Sequence, residues 1–438
     1  MTRAYAYWLQ FALAIALVFN AGCGDGSGGD DDDRDGSGGR DSGENDREDF
    51  IADTSGFEGL LTWTLGSRAG LYVWDLPKSE FIFERRGRLD GDEANARFPS
   101  EPALSRDGKT LVYTLEETFL ITLAGEVIVR DLATGDEELY PSSGLGANHQ
   151  RITGSPSISR DGRIVAVAER HFEWVTSEFG TFPEDETKSA IQIWDRTSGE
   201  LTSLTDGSFK AFAPRLSADG SRVLFLSDEL SPVDFYIANT SAPFEIERLT
   251  IFADEPGLKL GQSFSNAPGG ISASDDLRYV AFVALNEDQT AEAAFILDTE
   301  AKTIERAIIR PIGVEIVGET SIVRLASIAL SGDGSTLAYT VYFMDIVGET
   351  INAGRQILRA SRLTPGETSV VDIDDEGVAA GLDPNGLALS VDGSQIAYSL
   401  RREELWVNLI DGSDPRQVIH EDQKRVGPDF GLSMSLSF

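Results

Sequence analysis

The sequence predicts an all-β fold, a seven-bladed β-propeller, with six or eight blades as the alternatives. Three observations lead to this prediction. A strand–turn–strand phrase occurs six times, its copies are evenly spaced, and incomplete copies stand at the two ends of the repetitive region. Regularly repeated short strands are typical of propellers, in which each repeat forms one small sheet.

Each complete copy has an apolar strand, an Asp-Gly turn and a second strand, as in "LALSVDGSQIAYS" from Leu387. Asp-Gly is typical of a tight hairpin, because glycine adopts positive φ without steric cost. In the fourth copy Leu277 stands where glycine is expected, which predicts a turn of different type or length. The turn aspartates, spaced 54 to 59 residues apart, are Asp107, Asp161, Asp219, Asp276, Asp333 and Asp392.

Two further strands follow in each copy, as in "EVIVRDLATGDEELY", which completes a four-stranded antiparallel unit. The incomplete copies are complementary. The segment from Leu60, "LLTWTLGSRAGLYVWDLPKSEFIFERR", supplies strands two to four, and the C-terminal "GLSMSLSF" supplies only a first strand. We expect these segments to pair in one sheet, because an open ring would leave unpaired backbone at two edges.

The repeat resembles the TolB-like, WD-related propeller repeat, whose consensus is close to P-x-W-S-P-D-G followed by I-A-F and I-Y-V-x-D-L strands. The matching segments include "PALSRDGKTLVYT", "YVWDL", "IVRDL" and "IQIWD". Leu or Ile replaces the consensus Trp here. The resemblance covers about residues 57–438 and implies propeller architecture, but it implies little about activity. The Tol translocation protein itself has six blades and an additional α/β domain, so its partners are not carried over.

Charge limits the classes of partner. The chain has 73 acidic and 37 basic side chains and a formal net charge of -36. Nucleic acids and anionic lipid headgroups repel a protein of this charge. We therefore expect no nucleic-acid partner. Basic proteins, cations and neutral glycans stay compatible, although the charge is also accounted for by solubility alone.

The N-terminal segment resembles a bacterial lipoprotein signal. Arg3 precedes an apolar stretch too short to span a bilayer, and Ala21 and Gly22 precede the single cysteine, Cys23. This resemblance implies a signal peptide over residues 1–22, lipidation of Cys23 and a lipid-anchored protein of the cell envelope. Secretion with a free cysteine and an uncleaved anchor are the alternatives. Gly24 is not a retention-type aspartate, which favours the outer membrane, facing the periplasm or the exterior.

Residues 23–56 contain the run "GDGSGGDDDDRDGSGGRDSGENDRED" and have almost no apolar side chains. Such a composition does not offset the entropy of ordering, so it predicts a disordered acidic tether. The propeller would then occupy residues 57–438.

Catalytic motifs are missing from the sequence. His149, His171 and His420 do not have metal-ligand spacing, and there is no G-x-S-x-G nucleophile motif. We expect no cofactor. One loop, "DIDDEGVAAGLD", has the ligand spacing of a calcium loop, with Asp372, Asp374, Glu376 and Asp383 as candidate ligands. An acidic loop without metal is the alternative, and we favour it because position 12 is not Glu and no flanking helices are predicted.

A long insertion, "ERHFEWVTSEFGTFPEDETK", is predicted to form a loop between the second and third strands of its repeat. It contains the candidate partner-binding residues Phe172, Trp174, Phe179 and Phe182. Aromatic side chains at the mouth of a ring are plausible anchors for a partner, but such side chains are more often buried against the neighbouring blade, and we favour that alternative. A similar connection after Phe343 is predicted to extend its hairpin.

Two functions follow as hypotheses. The first is a non-catalytic platform that binds an envelope protein or peptide through loops at one end of the ring. The second is a glycan- or peptide-processing enzyme that uses carboxylates in the central channel. Two buried carboxylates facing each other across the channel mouth would favour the enzyme, and a mouth of small and apolar residues would favour the platform.

Overall fold

The chain divides into two compact units, Met1–Asp49 and Phe50–Phe438. The computed structural model describes part of the second unit, and every regular element in that part is a β-strand. The ranges described are 53–65, 70–85, 96–119, 122–141, 149–177, 180–183, 188–229, 233–249, 259–260, 271–285, 292–306, 322–347, 350–361, 368–374, 386–400, 404–419 and 434–437.

The strands are numbered in chain order. The first sixteen are β1 (Leu60–Leu65), β2 (Gly70–Asp75), β3 (Glu80–Arg85), β4 (Ala96–Leu104), β5 (Thr110–Phe119), β6 (Thr122–Asp131), β7 (Glu137–Leu139), β8 (His149–Ile158), β9 (Ile164–Ser177), β10 (Gly180–Pro183), β11 (Lys188–Asp195), β12 (Glu200–Ser203), β13 (Ala211–Leu216), β14 (Arg222–Ser227), β15 (Asp234–Asn239) and β16 (Ile246–Arg248). The others are β17 (Lys259–Leu260), β18 (Ile271–Ala273), β19 (Tyr279–Leu285), β20 (Glu292–Asp298), β21 (Thr303–Arg306), β22 (Ile322–Leu330), β23 (Thr336–Val347), β24 (Thr350–Ser361), β25 (Thr368–Asp374), β26 (Leu387–Leu389), β27 (Gln395–Leu400), β28 (Glu404–Leu409), β29 (Arg416–Ile419) and β30 (Met434–Ser437).

These strands form six sheets of a β-propeller, which confirms the predicted all-β propeller fold but not the predicted count of seven blades. Four sheets have four strands each: β3-β2-β1-β30, which we call the closing sheet, β13 to β16, β22 to β25, and β26 to β29. A five-stranded sheet contains β17 to β21. The double sheet has nine strands in the order β12-β11-β9-β8-β6-β5-β4, with β7 beside β6 and β10 beside β9. Its β4–β7 and β8–β12 parts are joined through one parallel pair, Gly125 with Ile152.

The two ends of the repetitive region pair as the sequence predicts. Strand β30 lies antiparallel to β1, with Leu60 opposite Ser437 and Trp63 opposite Met434. Because β1 also pairs with β2 on its other side, neither edge of β1 is left open at these positions. This pairing protects backbone groups that would otherwise template association with another chain.

The hydrophobic core consists of seven clusters of buried residues in the described part, each lying between strands that follow one another around the propeller. Strand β9 illustrates the origin of this pattern. Ile164 and Ala166 belong to the cluster shared with β14, whereas Val165 and Val167 belong to the cluster shared with β5 and β6. Alternate residues of a strand point to opposite faces, so a strand that is buried on both faces has a continuous apolar sequence.

Each Asp-Gly turn is stabilised by its own side chains. In all six copies the serine two residues before the aspartate donates its hydroxyl hydrogen to the carboxylate, over 2.6 to 2.8 Å. The carboxylate of Asp219 also accepts a bond from the backbone amide of Ser221 at 3.0 Å. The Ser217 hydroxyl and then the Ser221 amide hold the pKa of Asp219 below its ordinary value. Hydrogen bonds of this kind stabilise the charged carboxylate, so it resists protonation in the folded state.

The turn at Leu277 has the same length and bonding as the other turns, so the prediction of a different turn is wrong. Its amide donates to the Ser274 carbonyl at 2.9 Å, as the Gly108 amide does to Ser105. Leu277 adopts this turn with a φ of 56°, a region that side chains other than glycine rarely enter. The side chain is fully buried in a core cluster, and this burial offsets the backbone strain.

Two substitutions at Leu277 distinguish the energetic cost of its strained backbone from the stabilisation by its buried side chain. Leu277→Ala is expected to lower the free energy of unfolding by about 2–5 kcal/mol, because the cavity is created while the positive φ is kept. Leu277→Gly is expected to cost about 1 kcal/mol less than Leu277→Ala, because glycine removes the strain. Urea unfolding of both variants tests this order, and a Gly variant less stable than the Ala variant would contradict it.

Three of the second-to-third strand hairpins are long. Strands β5 and β6 have 10 residues each, and β23 and β24 have 12 each, against 6 each for β14 and β15. The long connection after Phe343 therefore extends its hairpin, as predicted. Since the second strand leads away from the Asp-Gly turn, the Asp-Gly turns lie on one face of the propeller, here called the turn face. The hairpin ends lie on the opposite face, the hairpin face.

Candidate functional site at the mouth of the turn face

A belt of backbone hydrogen bonds joins the Asp-Gly turns of successive repeats. In each bond the acceptor is the carbonyl of the residue immediately before a turn aspartate, and the donor is a backbone amide of the preceding turn. In three of the five bonds the donor amide also belongs to the residue before the aspartate, and in the other two it belongs to the aspartate itself. The five bonds run from Asp107 N to Arg160 O (3.1 Å), Arg160 N to Ala218 O (2.7 Å), Ala218 N to Asp275 O (2.6 Å), Asp275 N to Gly332 O (2.7 Å), and Asp333 N to Val391 O (2.8 Å). The six turns therefore surround one mouth of the propeller and are held there by their own backbone.

An ion pair crosses this mouth. Arg106, on the turn after β4, donates from its Nε to the Oδ1 of Asp275 at 3.1 Å, and its Nη2 lies 3.0 Å from the same oxygen. Asp275 lies on the turn after β18, 169 residues further along the chain. The Nη2 of Arg160, on the turn between these two, lies 4.0 Å from the Oδ2 of the same aspartate. The ion pair therefore connects two sheets that are not neighbours in the belt.

The mouth is close-packed around Asp275. A Cβ placed on Gly332 would lie 2.8 Å from the Asp275 Oδ1 and 2.9 Å from the Val391 Cγ1. Real Cβ atoms do not approach heavy atoms this closely, so the position requires glycine for space. Arg106, Ala218, Asp275, Gly332 and Val391 thus fill the mouth with small, apolar and ion-paired groups.

A substitution at Gly332 tests this packing. Gly332→Ala is expected to lower the free energy of unfolding by about 1–3 kcal/mol, because the new methyl group overlaps the Asp275 carboxylate. In an Asp275→Ala background the same substitution should cost less, since one of the two obstructing groups is gone. Urea unfolding of the four proteins measures the difference, and equal costs in both backgrounds would show that Asp275 does not occupy the space.

A second charged pair belongs to the first strands of the repeats. Strands β4 and β13 each have a bulge before the turn, and within the bulges Glu101 and Ala213 have φ values of 48° and 53°. Arg215 follows the second bulge and donates from Nη1 to the Pro214 carbonyl at 2.9 Å. Burial lowers the pKa of Arg215, and the carboxylate of Glu101 opposes this effect. Bulges re-aim the side chains beside them, and both Glu101 and Arg215 lie at such bulges.

At this mouth the Asp275 carboxylate is therefore paired with an arginine. Acid–base catalysis by two carboxylates needs a facing pair, with different pKa values in the two groups.

The aromatic insertion lies mainly in strands, so the predicted loop is wrong for its described part. Phe172 and Trp174 are in β9 and Phe182 is in β10, whereas Phe179 lies outside the described residues. Phe182 pairs with Val175 in the register, and Trp174 pairs with Pro183. Strand alternation therefore puts residues 172 and 174 on one face of the hairpin and residue 182 on the other. Residues 172, 174 and 182 therefore do not share one face of the hairpin.

Two of the candidate calcium ligands, Asp372 and Asp374, are in the extended strand β25, opposite Ile357 and Arg355 of β24. Glu376 and Asp383 lie outside the described residues, as does Cys23. Within the described ranges, no group of three or more His, Cys, Asp or Glu side chains could hold a metal ion. The calcium assignment of this segment stays a prediction. No helix in the same ranges is long and apolar enough to cross a membrane.

Reasoning from the sequence missed Arg106, Arg160, Asp275 and Gly332. All four occupy the position between Ser and Asp in the repeated phrase, which differs in every pair of copies except the first two. The available signal was that this position carries Arg in two copies and Asp in a third. Equivalent positions of a closed ring face a common axis, so side chains of opposite charge at these positions can meet.

The sheets and the belt of turns make the chain a β-propeller protein. Solved structures that it resembles include TolB from Acinetobacter baumannii (15% identity, 87% of this chain and 67% of that chain covered, TM-score 0.39). An oligogalacturonate lyase from Vibrio parahaemolyticus is 13% identical, with 81% and 84% covered and a TM-score of 0.48. The hydrazine synthase of Kuenenia stuttgartiensis is 12% identical, with 72% and 77% covered and a TM-score of 0.43. Identities this low concern the fold alone.

No protein-family model matches the chain, and no curated protein matches it significantly.

Proposed function

We propose that the protein is a lipid-anchored propeller of the bacterial cell envelope that binds a protein or peptide and does not catalyse a reaction. The observation that carries this proposal is the mouth of the turn face, where the Asp275 carboxylate is ion-paired with Arg106 and packed closely against Gly332. A rigid ring of this kind presents its exposed groups in fixed positions, which lowers the entropic cost of binding a partner.

We infer that the ring has seven blades, with the double sheet counting as two. Three observations support this count. The β4–β7 and β8–β12 parts are joined through a single residue pair. Each part has its own Asp-Gly turn, at Asp107 and Asp161. The seven core clusters also match seven contacts between neighbouring blades.

We propose that Cys23 carries the lipid anchor and that residues 23–56 are the tether. Cys23→Ser is expected to abolish labelling by an alkyne fatty acid in cells and to move the protein from the membrane fraction to the soluble fraction. Ser27→Ala, four residues further on, is the matched control and should keep both properties. Fatty-acid labelling that persists in Cys23→Ser would contradict the anchor.

Partner binding is tested in intact cells with a photoreactive amino acid. At the mouth residue Ala218, we expect a discrete cross-linked adduct with an envelope protein. Leu139, which is 57% exposed on the outer strand β7, is the matched control position and should give none. Equal adducts at both positions, or none at Ala218, would contradict the platform. A basic, neutral or mildly acidic partner agrees with the charge of the chain, and a nucleic acid does not.

A further inference from the structure

The side chain of Arg160 is largely exposed at the mouth of the turn face. Its backbone amide and carbonyl both belong to the belt, so its position is held from both sides. Its side chain is 60% exposed, and the contact of its Nη2 with Asp275 is 4.0 Å long. That distance is too long for a hydrogen bond. In the part of the chain that the structure describes, the guanidinium of Arg160 donates no hydrogen bond.

Asp275 is hydrogen-bonded to Arg106 and not to Arg160. Its Oδ1 accepts a bond from the Arg106 Nε, while its buried Oδ2 accepts none. One carboxylate thus lies beside two guanidinium groups. Arg160 is the more exposed of the two, since the side chain of Arg106 is only 24% exposed.

Arg163, three residues further on, provides a comparison, because its guanidinium is hydrogen-bonded to a carboxylate. Its side chain is 53% exposed, close to the value for Arg160. It makes two parallel bonds to the Asp195 carboxylate, Nε to Oδ1 at 3.2 Å and Nη2 to Oδ2 at 2.6 Å. Paired, planar contacts of this type are the preferred way for arginine to bind a carboxylate. Arg160 lacks an acid of its own.

We propose that Arg160 binds one carboxylate of a partner peptide at the closed mouth of the turn face. The backbone groups of the turns are hydrogen-bonded within the belt, so side chains must supply the contact with a ligand. Arg160 supplies guanidinium donors that make no hydrogen bond within the described residues, on a backbone that the belt holds in place. The close packing around Gly332 keeps the ligand on the outer surface of the mouth. The net charge of -36 excludes polyanions, so the ligand is a single carboxylate on an otherwise neutral or basic segment. This inference rests on the proposed platform function.

Saturation-transfer NMR on the full chain tests the proposal with three blocked peptides. N-acetyl-Gly-Gly carries a chain-end carboxylate, N-acetyl-Asp-amide carries a side-chain carboxylate, and N-acetyl-Gly-Gly-amide carries neither. We expect one or both of the acids to bind and the neutral amide not to bind. The acid that binds identifies the source of the carboxylate.

Arg160→Gln is expected to weaken this binding about tenfold or more, as for the loss of a charge-assisted hydrogen bond. Arg163→Gln, the matched control, should leave it unchanged, and Arg160→Lys should fall between, because it keeps the charge but not the planar fork. Absence of binding to the wild-type chain, equal binding of the neutral amide, or unchanged binding by Arg160→Gln would each overturn the proposal. Urea unfolding verifies that each variant is folded.

The photo-cross-linking experiment separates the two proposals. If Arg160→Gln still gives the adduct from Ala218 but no longer binds the acidic peptides, both the platform and the site at Arg160 stand. If the adduct forms and the acidic peptides never bind, the platform stands and the site at Arg160 is wrong. If the acidic peptides bind and no adduct forms at any mouth position, the site stands and the platform is wrong.

Discussion

Truncation after residue 433 is expected to lower the free energy of unfolding by about 3 kcal/mol or more. The deleted segment contains β30, whose four residues all pair with β1. Each lost backbone hydrogen bond contributes about 0.5–1.5 kcal/mol, and packing at the seam is lost as well. The newly open edge of β1 would also pair with other chains, so we expect association as well as instability.

Urea unfolding and size-exclusion chromatography of the truncated protein measure the two effects. Removal of Phe438 alone is the matched control, because it leaves β30 complete, and it should change neither quantity appreciably. A truncated protein that unfolds at the wild-type urea concentration and stays at its wild-type size would show that β30 does not hold the ring together.

Trp63→Ala is expected to lower the free energy of unfolding by about 3–5 kcal/mol, the usual cost of removing a buried large aromatic side chain. Trp63 is fully buried in the cluster between the closing sheet and β26 to β29, and it stacks on Tyr72 with ring centroids 5.6 Å apart. Its loss would leave a cavity at the seam where the ring closes.

Phe81→Ala is the matched control for Trp63→Ala. Phe81 contacts the same aromatic group, with its centroid 6.1 Å from that of Trp63, but its side chain is 45% exposed, so its removal should cost much less. Trp63→Phe should lower the free energy of unfolding by less than the lost side-chain volume alone predicts. The indole Nε1 is buried without a hydrogen-bond partner, so its removal also removes an unfavourable buried donor. Equal costs for Trp63→Ala and Phe81→Ala in thermal or urea unfolding would contradict the placement of the seam.

Binding at the mouth and stability of the ring depend on different residues. The closing sheet and the core clusters hold the ring together, whereas the side chain of Arg160 is largely exposed and contributes little to packing. Variants at Arg160 should therefore alter ligand binding while the free energy of unfolding in urea stays near the wild-type value. A loss of binding in these variants would then not be caused by unfolding.

The sequence by itself determined the strands, the Asp-Gly turns and the pairing of β30 with β1. These features depend on local periodicity, on turn residues and on the complementarity of two incomplete repeats, all of which are read along the chain. It did not determine the turn at Leu277, because the decisive factor there is burial of the side chain against strands from two sheets.

Only the tertiary structure decided which residues meet at the mouth. Arg106 and Asp275 are 169 residues apart, and their contact exists because the ring brings equivalent turns to a common axis. The same holds for Arg160, whose Nη2 lies 4.0 Å from the Asp275 Oδ2, because the ring also brings this turn to the axis. Contacts across an axis leave no periodic pattern in a sequence, since they depend on how the repeats close in space and not on their order along the chain.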